Sequence, residues 1–135
     1  MCSSDLFEAP SVEHTGHTLF HLNAGRGIAC ASCHPEGGDD GRTWNFDRIG
    51  GRRTPPVRGA TSDTAPFHWD GDLATAGHLM AEVFGVRMGG GNLPINYLDA
   101  ARAWIDTLPP FPASAPADPA AAARGRALFE SAAVG

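Results

Sequence analysis

The chain contains no lysine: all ten basic residues are arginines, set against fifteen acids for a net charge of −5. That balance excludes the basic face that nucleic-acid phosphates require. No apolar run approaches the roughly 18 residues of a membrane span. Cysteine is scarce, with three in 135 residues, and that count excludes a disulfide-stapled framework. A G-x-S-x-G nucleophile turn, a phosphate-cradling glycine loop and paired acids at helical spacing are also missing. What the chain has in excess is glycine (17) and proline (11), which predicts long loops between a few helices. At 135 residues and 42% apolar content it can build one domain with a real core, not comfortably two.

Residues 1–6, "MCSSDL", back-translate to a stretch resembling the tail of a sequencing-library adapter. They are read as an artefact that leaves the true start, and any signal peptide, out of view. Cys2 is therefore given no role. Residues 14–24 place Leu19, Phe20 and Leu22 on a short helical face before Gly25. From Pro35 to Pro66 the chain is Gly-, Asp- and Pro-rich without a sustained period, and loop is expected. Asp70 or Asp72 is expected to cap a helix over 73–85, with Leu73, Ala76, Leu79, Met80, Val83 and Phe84 on one side. Gly85 and the run Gly89 to Gly91 then break it.

A third helix over 94–107 carries Tyr97, Leu98, Ala101, Trp104 and Ile105, and Pro109-Pro110 stops it. Residues 109–119 form a semi-rigid Pro/Ala linker. Beyond it Gly125-Arg126-Ala127-Leu128-Phe129 repeats the G-x-x-L-F of Gly16 to Phe20. Residues 120–135 are accordingly read as the first helix of a truncated second domain, loosely packed against residues 14–108.

The chemistry concentrates in "ACASCHP", residues 29–35. A closed zinc site wants four ligands, but no second C-x-x-C and no following H-x-H pair of suitable spacing exist, although His14, His17 and His21 are available. Thiol–disulfide exchange wants the pair at a helix start behind a buried strand, whereas "NAGRGIA" is a glycine-broken loop. A c-type haem wants what is present. Each cysteine adds to one vinyl group, two residues span the ring edge, and the adjacent histidine is brought under the iron. Cys30, Cys33 and His34 fill those roles, with one covalent haem as the expected cofactor.

The iron's other face then decides function. A thioether there stabilises Fe(II) and closes the site to peroxide. Met88, following a helix and preceding three glycines, is the favoured sixth ligand. Met80 reads better as core filling, while His68, His78 and an open site stay in play. Arg52, Arg53 and Arg58 lie in the loop expected to pass the haem edge, where a guanidinium fork matches a propionate. Trp44 and Trp69 offer an indole N–H to the same groups or a face to the porphyrin.

Over residues 14–108 the sequence resembles a class I c-type cytochrome domain: a G-x-x-L-F helix, C-x-x-C-H, a loop, and a final helix ending "AWIDTLPP". The resemblance implies an all-α, cytochrome c-like fold of three to four helices around one covalent haem, occupying 7–108. It also implies that Gly16 and Phe20 meet Tyr97, Ala101 or Trp104 on the other helix. Pro55 or Pro56 would offer a carbonyl to the His34 ring. "RTPPVRG" (53–59) and "TAPFHWDG" (64–71) are more narrowly similar to segments of di-haem cytochrome c peroxidases and MauG-like proteins. That likeness implies a second haem domain following this one and a cytochrome or copper protein as redox partner. Haem attachment to C-x-x-C-H resembles a step done outside the cytoplasmic membrane in bacteria, which implies a periplasmic or other extracytoplasmic location. Where those peroxidases carry a catalytic acid before a methionine, this chain has Arg87-Met88. Electron transfer is therefore the expected function, with peroxide reduction by the larger parent as the alternative.

Overall fold

The structure, a computed structural model, describes residues 11–47 and 49–133. The reading of residues 1–6 lies outside them. Helix α1 (Val12–His21) starts at Ser11, whose hydroxyl accepts from the His14 N–H at 3.0 Å. Helix α3 (Ile95–Thr107) crosses it at Gly16, where an added Cβ would lie 2.1 Å from the Ala100 carbonyl oxygen and 2.6 Å from Trp104 Cβ. Only a residue without a side chain lets the two backbones come this close. Phe20, 2% exposed, packs against Trp104 with ring centroids 4.7 Å apart and planes inclined at 51°. The expected aromatic contact is thus made by Trp104. Tyr97 is turned outward at 41% exposure, and Leu22 falls beyond the helix and is exposed.

The expectation of an all-α, cytochrome c-like fold is corrected. Among the described residues four α-helices are joined by a two-stranded antiparallel sheet, and this mixed, helix-rich arrangement does not define a cytochrome fold. Strands β1 (Thr43–Phe46) and β2 (Gly50–Arg53) pair in the register Thr43 to Arg53 and Phe46 to Gly50. They fall inside the stretch expected to be loop. Thr, Trp and Phe are residues that suit a pleated surface, and Gly50, at φ +79°, turns the chain back. The glycine content that suggests loop is what closes the hairpin.

Helix α2 (Ala76–Met80) begins three residues later than expected, because Thr75, not Asp70 or Asp72, caps it by accepting from the His78 N–H at 3.1 Å. Leu73 is instead drawn into an isolated bridge with Phe67. The helix continues as a wider π-turn over Ala81–Arg87, in which the Met88 N–H reaches the Val83 carbonyl at 2.9 Å. A π-segment rotates the residues that follow it relative to an α-helix, and such segments concentrate at functional sites. Helix α4 (Pro119–Phe129) is capped by Asp118 and buries none of its residues. Among the described residues no helix is long and apolar enough to cross a membrane.

Candidate functional site

Cys30 begins a single 3₁₀ turn, Cys30–Ser32, and a second, Pro35–Gly37, follows His34 directly. Tight hydrogen bonds from Cys33 and His34 N–H to the Cys30 carbonyl, at 3.2 and 2.9 Å, set both thiols and the imidazole on one short coil. Both cysteines are free and half-buried. Burial pushes the Cys30 thiol up to about 11, with the Cys33 charge adding to it. The Cys33 thiol is also raised, first by desolvation and then by Asp40. A reactive redox cysteine needs the opposite shift.

The His34 ring is held below the ordinary histidine range, chiefly by burial. Backbone acceptors at Pro55 and Gly38 and the nearby acids work against that shift. Its Nδ1 is buried and closes no hydrogen bond of good geometry. The turn after it is clamped from outside: Val57 and Arg58 N–H both donate to the Gly37 carbonyl, at 2.9 and 3.1 Å. That clamp brings the 55–58 segment up to the His34 ring.

Met88 lies 58 residues from Cys30 and belongs to a buried cluster against which Cys30 packs. Its carbonyl accepts from the Arg26 N–H at 2.9 Å, and the Gly89 carbonyl accepts from Gly25 at 3.1 Å, so the loop leading into the cysteines is stitched to this turn. An added Cβ on Gly25 would sit 2.2 Å from the Gly89 oxygen, which explains the glycine there. The Met88 side chain, 6% exposed, joins Ala24 and Phe84 in one apolar cluster, against which Cys30, Val83 and Leu93 pack.

The rival ligands are placed otherwise. Met80 lines a hollow of about 40 Å³ with Phe84, Leu93 and Leu98. The His68 ring is engaged at both nitrogens, by Asp72 at Nδ1 (2.8 Å) and by Arg87 at Nε2 (3.1 Å). This bond to His68 is the leading reason that Asp72 stays below the usual carboxylate range. Since the Arg87 guanidinium can only donate, His68 Nε2 accepts and Nδ1 carries the hydrogen. Arg87 also meets Glu82 at 3.2 Å. His78 is exposed on α2. The Asp72–His68–Arg87–Glu82 chain was not legible in sequence, since its members are scattered over twenty positions, two in the loop before α2 and two in the π-segment after it.

The groups expected at the haem edge make protein contacts. Arg58 Nε donates to the Pro109 carbonyl at 2.6 Å and its guanidinium covers the Phe111 ring at 4.6 Å. Arg52 reaches Asp70 at 3.5 Å and Arg53 reaches Asp39 at 3.1 Å. The Trp69 indole donates to the Arg53 carbonyl at 3.2 Å, and that of Trp44 to Asp40 at 2.8 Å. Arg58 and Trp69 thus act as struts joining loop to linker and loop to hairpin. A larger hollow, about 390 Å³, lies between the linker and α4 and includes none of these residues. The chain matches no protein-family model, no curated protein and no solved structure.

Proposed function

We propose that Cys30 and Cys33 carry one covalent c-type haem, that His34 and Met88 are its axial ligands, and that the protein transfers electrons. One observation carries the reading: the backbone stitch at residues 25–26 and 88–89 sets the Met88 side chain in the cluster against which Cys30 packs. The donor set fits the group. Two sulfurs in a setting that disfavours thiolate are suited to thioether bonds. A buried imidazole held neutral is suited to bind iron through one nitrogen. The buried, unpaired His34 Nδ1 lies where the Pro55 carbonyl is at hand to fix its tautomer. When bound, haem supplies a one-electron Fe(III)/Fe(II) couple. The chain contributes the neutral imidazole, a desolvated thioether that favours the ferrous state, and a glycine-rich turn that holds the thioether in place.

The resemblance of residues 53–71 to di-haem proteins extends this reading to a cytochrome or copper-protein partner and a following second haem domain, and haem attachment at C-x-x-C-H to an extracytoplasmic location. Peroxide reduction is the second reading. Arg87 stands where the acid would be, and its bonds to Glu82 and His68 leave a cation beside Met88. That favours electron transfer for this domain.

The test is expression with a haem-attachment system. The colour is expected to survive acid–acetone extraction and to be lost in Cys30→Ala/Cys33→Ala. Met88→Ala is expected to abolish the weak red charge-transfer band of ferric iron–thioether bonding, lower the potential and open the iron to CO. Colour extracted from the unaltered protein sinks the covalent haem; loss of the band in Met80→Ala instead sinks the ligand assignment. Rapid turnover of hydrogen peroxide with a reduced cytochrome would favour the second reading.

A further inference from the structure

A cluster of ligating side chains lies outside the proposed haem ligands. His17 and His21 stand one turn apart on α1, and Glu36 reaches them from the turn after His34; one ligand atom from each lies within 4.8 Å of the others. We propose that His17, His21 and Glu36 bind a divalent transition-metal ion of the Zn²⁺/Cu²⁺ class, tying α1 to the segment that follows the cysteines.

The His21 ring is oriented at both nitrogens. Its Nδ1 lies 2.9 Å from the His17 carbonyl oxygen, which only accepts, so Nδ1 carries a hydrogen. Its Nε2 lies 2.9 Å from Glu36 Oε1, and an ionised carboxylate also only accepts. With Nδ1 holding the hydrogen, the Nε2 lone pair faces the carboxylate oxygen, the arrangement in which both can bind one metal ion. With a metal there, the Nδ1–H bond to a backbone carbonyl becomes the outer contact that orients metal-bound histidines.

Three further features favour the metal. A pair of histidines at i and i+4 presents both rings on one helix face, and here the centroids are 4.3 Å apart. Trp104, at 7% exposure, backs both rings edge-on, at 5.2 Å for His17 and 5.9 Å for His21, so the donors stand on a packed support. Glu36 adopts φ 48° and ψ 38°, a left-handed conformation that glycine or asparagine takes more easily; its carboxylate is what those residues would lack.

Two imidazoles and one carboxylate select zinc, copper or nickel over the oxygen-seeking calcium and magnesium. Bonds of about 2.0–2.1 Å set donors about 3.3 Å apart in a tetrahedral site. Side-chain rotation can close the difference, since Glu36 is 69% exposed in its side chain. Three protein ligands leave the fourth position for water.

The site does not depend on haem. The test is calorimetric titration of the full chain with Zn²⁺, its cysteines haem-linked or alkylated so that thiolates do not compete. One equivalent is expected to bind. Glu36→Gln is expected to weaken binding about tenfold or more, the scale seen when a metal-site partner is lost, and His17→Ala/His21→Ala to abolish it. His14→Ala, on the same helix, is expected to leave it unchanged. Absence of a stoichiometric binding event, or equal binding by the double variant, overturns the proposal. Should the double variant fail to fold by circular dichroism, the surface change Glu36→Gln decides alone: unchanged affinity overturns the site.

Discussion

Helices α3 and α4 are similar in length and both rich in alanine, yet they fare oppositely. By local criteria α4 is the better helix. Asp118 accepts from the N–H groups of both Ala120 and Ala121, and Pro119 sits at the first position. α3 starts after Pro94 without any side-chain cap. Nevertheless α3 buries Leu98, Ala100, Ala101 and Trp104, while α4 buries nothing and leaves Phe129 88% exposed. Caps and propensity decide whether a helix forms; a complementary surface decides whether it carries the fold. For α3 that surface is the bare backbone at Gly16 flanked by Phe20. Tertiary packing of one face, not propensity, supplies most helical stability in folded proteins.

The sharpest way to break this contrast is to truncate one aromatic from each region. Trp104→Ala removes the ring that Phe20, His17 and His21 all touch. It is expected to lower unfolding free energy by about 3–5 kcal/mol, the range for large core aromatics. Phe129→Ala, exposed in α4, is expected to stay within about 0.5 kcal/mol of the parent. Urea unfolding followed by circular dichroism measures both. Equal losses would mean that α4 is part of the cooperative unit after all.

The next effect separates the regions by pH. Cys30, in the packed region, is raised from 9.0 to about 11 by burial. In the unfolded chain its thiol ionises first, so the contribution is complete below about pH 9 and is lost as pH rises through about 11. Two units correspond to about 2–3 kcal/mol. His34 bounds stability on the other side. Its folded pKa lies below the ordinary value of 6.5, so the unfolded ring takes a proton first and stability is lost as pH falls below that value. Melting temperature of the haem-free chain against pH is expected to fall at both ends. Cys30→Ser is expected to flatten the alkaline fall, and an unchanged alkaline fall in that variant would refute the assignment.

The candidate site was more legible in sequence than the fold. C-x-x-C-H is a local pattern, so Cys30, Cys33 and His34 stand out as candidates from adjacency alone. The α1–α3 contact was expected through the family resemblance, which left Tyr97, Ala101 and Trp104 open as partners of Gly16 and Phe20; only the folded helices single out Trp104. The hairpin was not, since its four-residue strands lie in a stretch whose glycines mask a short β pattern. The start of α2 was misplaced because a capping aspartate and a capping threonine look alike in sequence. What Asp72 does instead, gripping His68, depends on a bend at His68 with φ +75° that sequence does not announce. The struts at Arg58 and Trp69 were missed for a related reason. An arginine or indole in a loop advertises a donor, and only the folded backbone shows which carbonyl, Pro109 or Arg53, takes it.

The smallest effect is the most discriminating for α4. Gly125 lies mid-helix, and an added Cβ there meets nothing within 4 Å. Alanine is favoured over glycine in a helix interior by about 0.8–1 kcal/mol. If α4 were coupled to the α1–α3 core, Gly125→Ala would shift the global unfolding midpoint by that amount. The contrast drawn above predicts otherwise: the helical signal should strengthen and protection of the α4 amides in hydrogen exchange should rise. The cooperative transition of the core, read from Trp104 fluorescence in a chain with Trp44 and Trp69 changed to phenylalanine, should not move. The reverse substitution in the packed pair gives the counterpart. At Gly16 a Cβ meets the Ala100 carbonyl, so Gly16→Ala should shift that same transition downward. A single methyl group would thus add local order in one helix and remove global stability at the other, and a matching response at both positions would end the distinction.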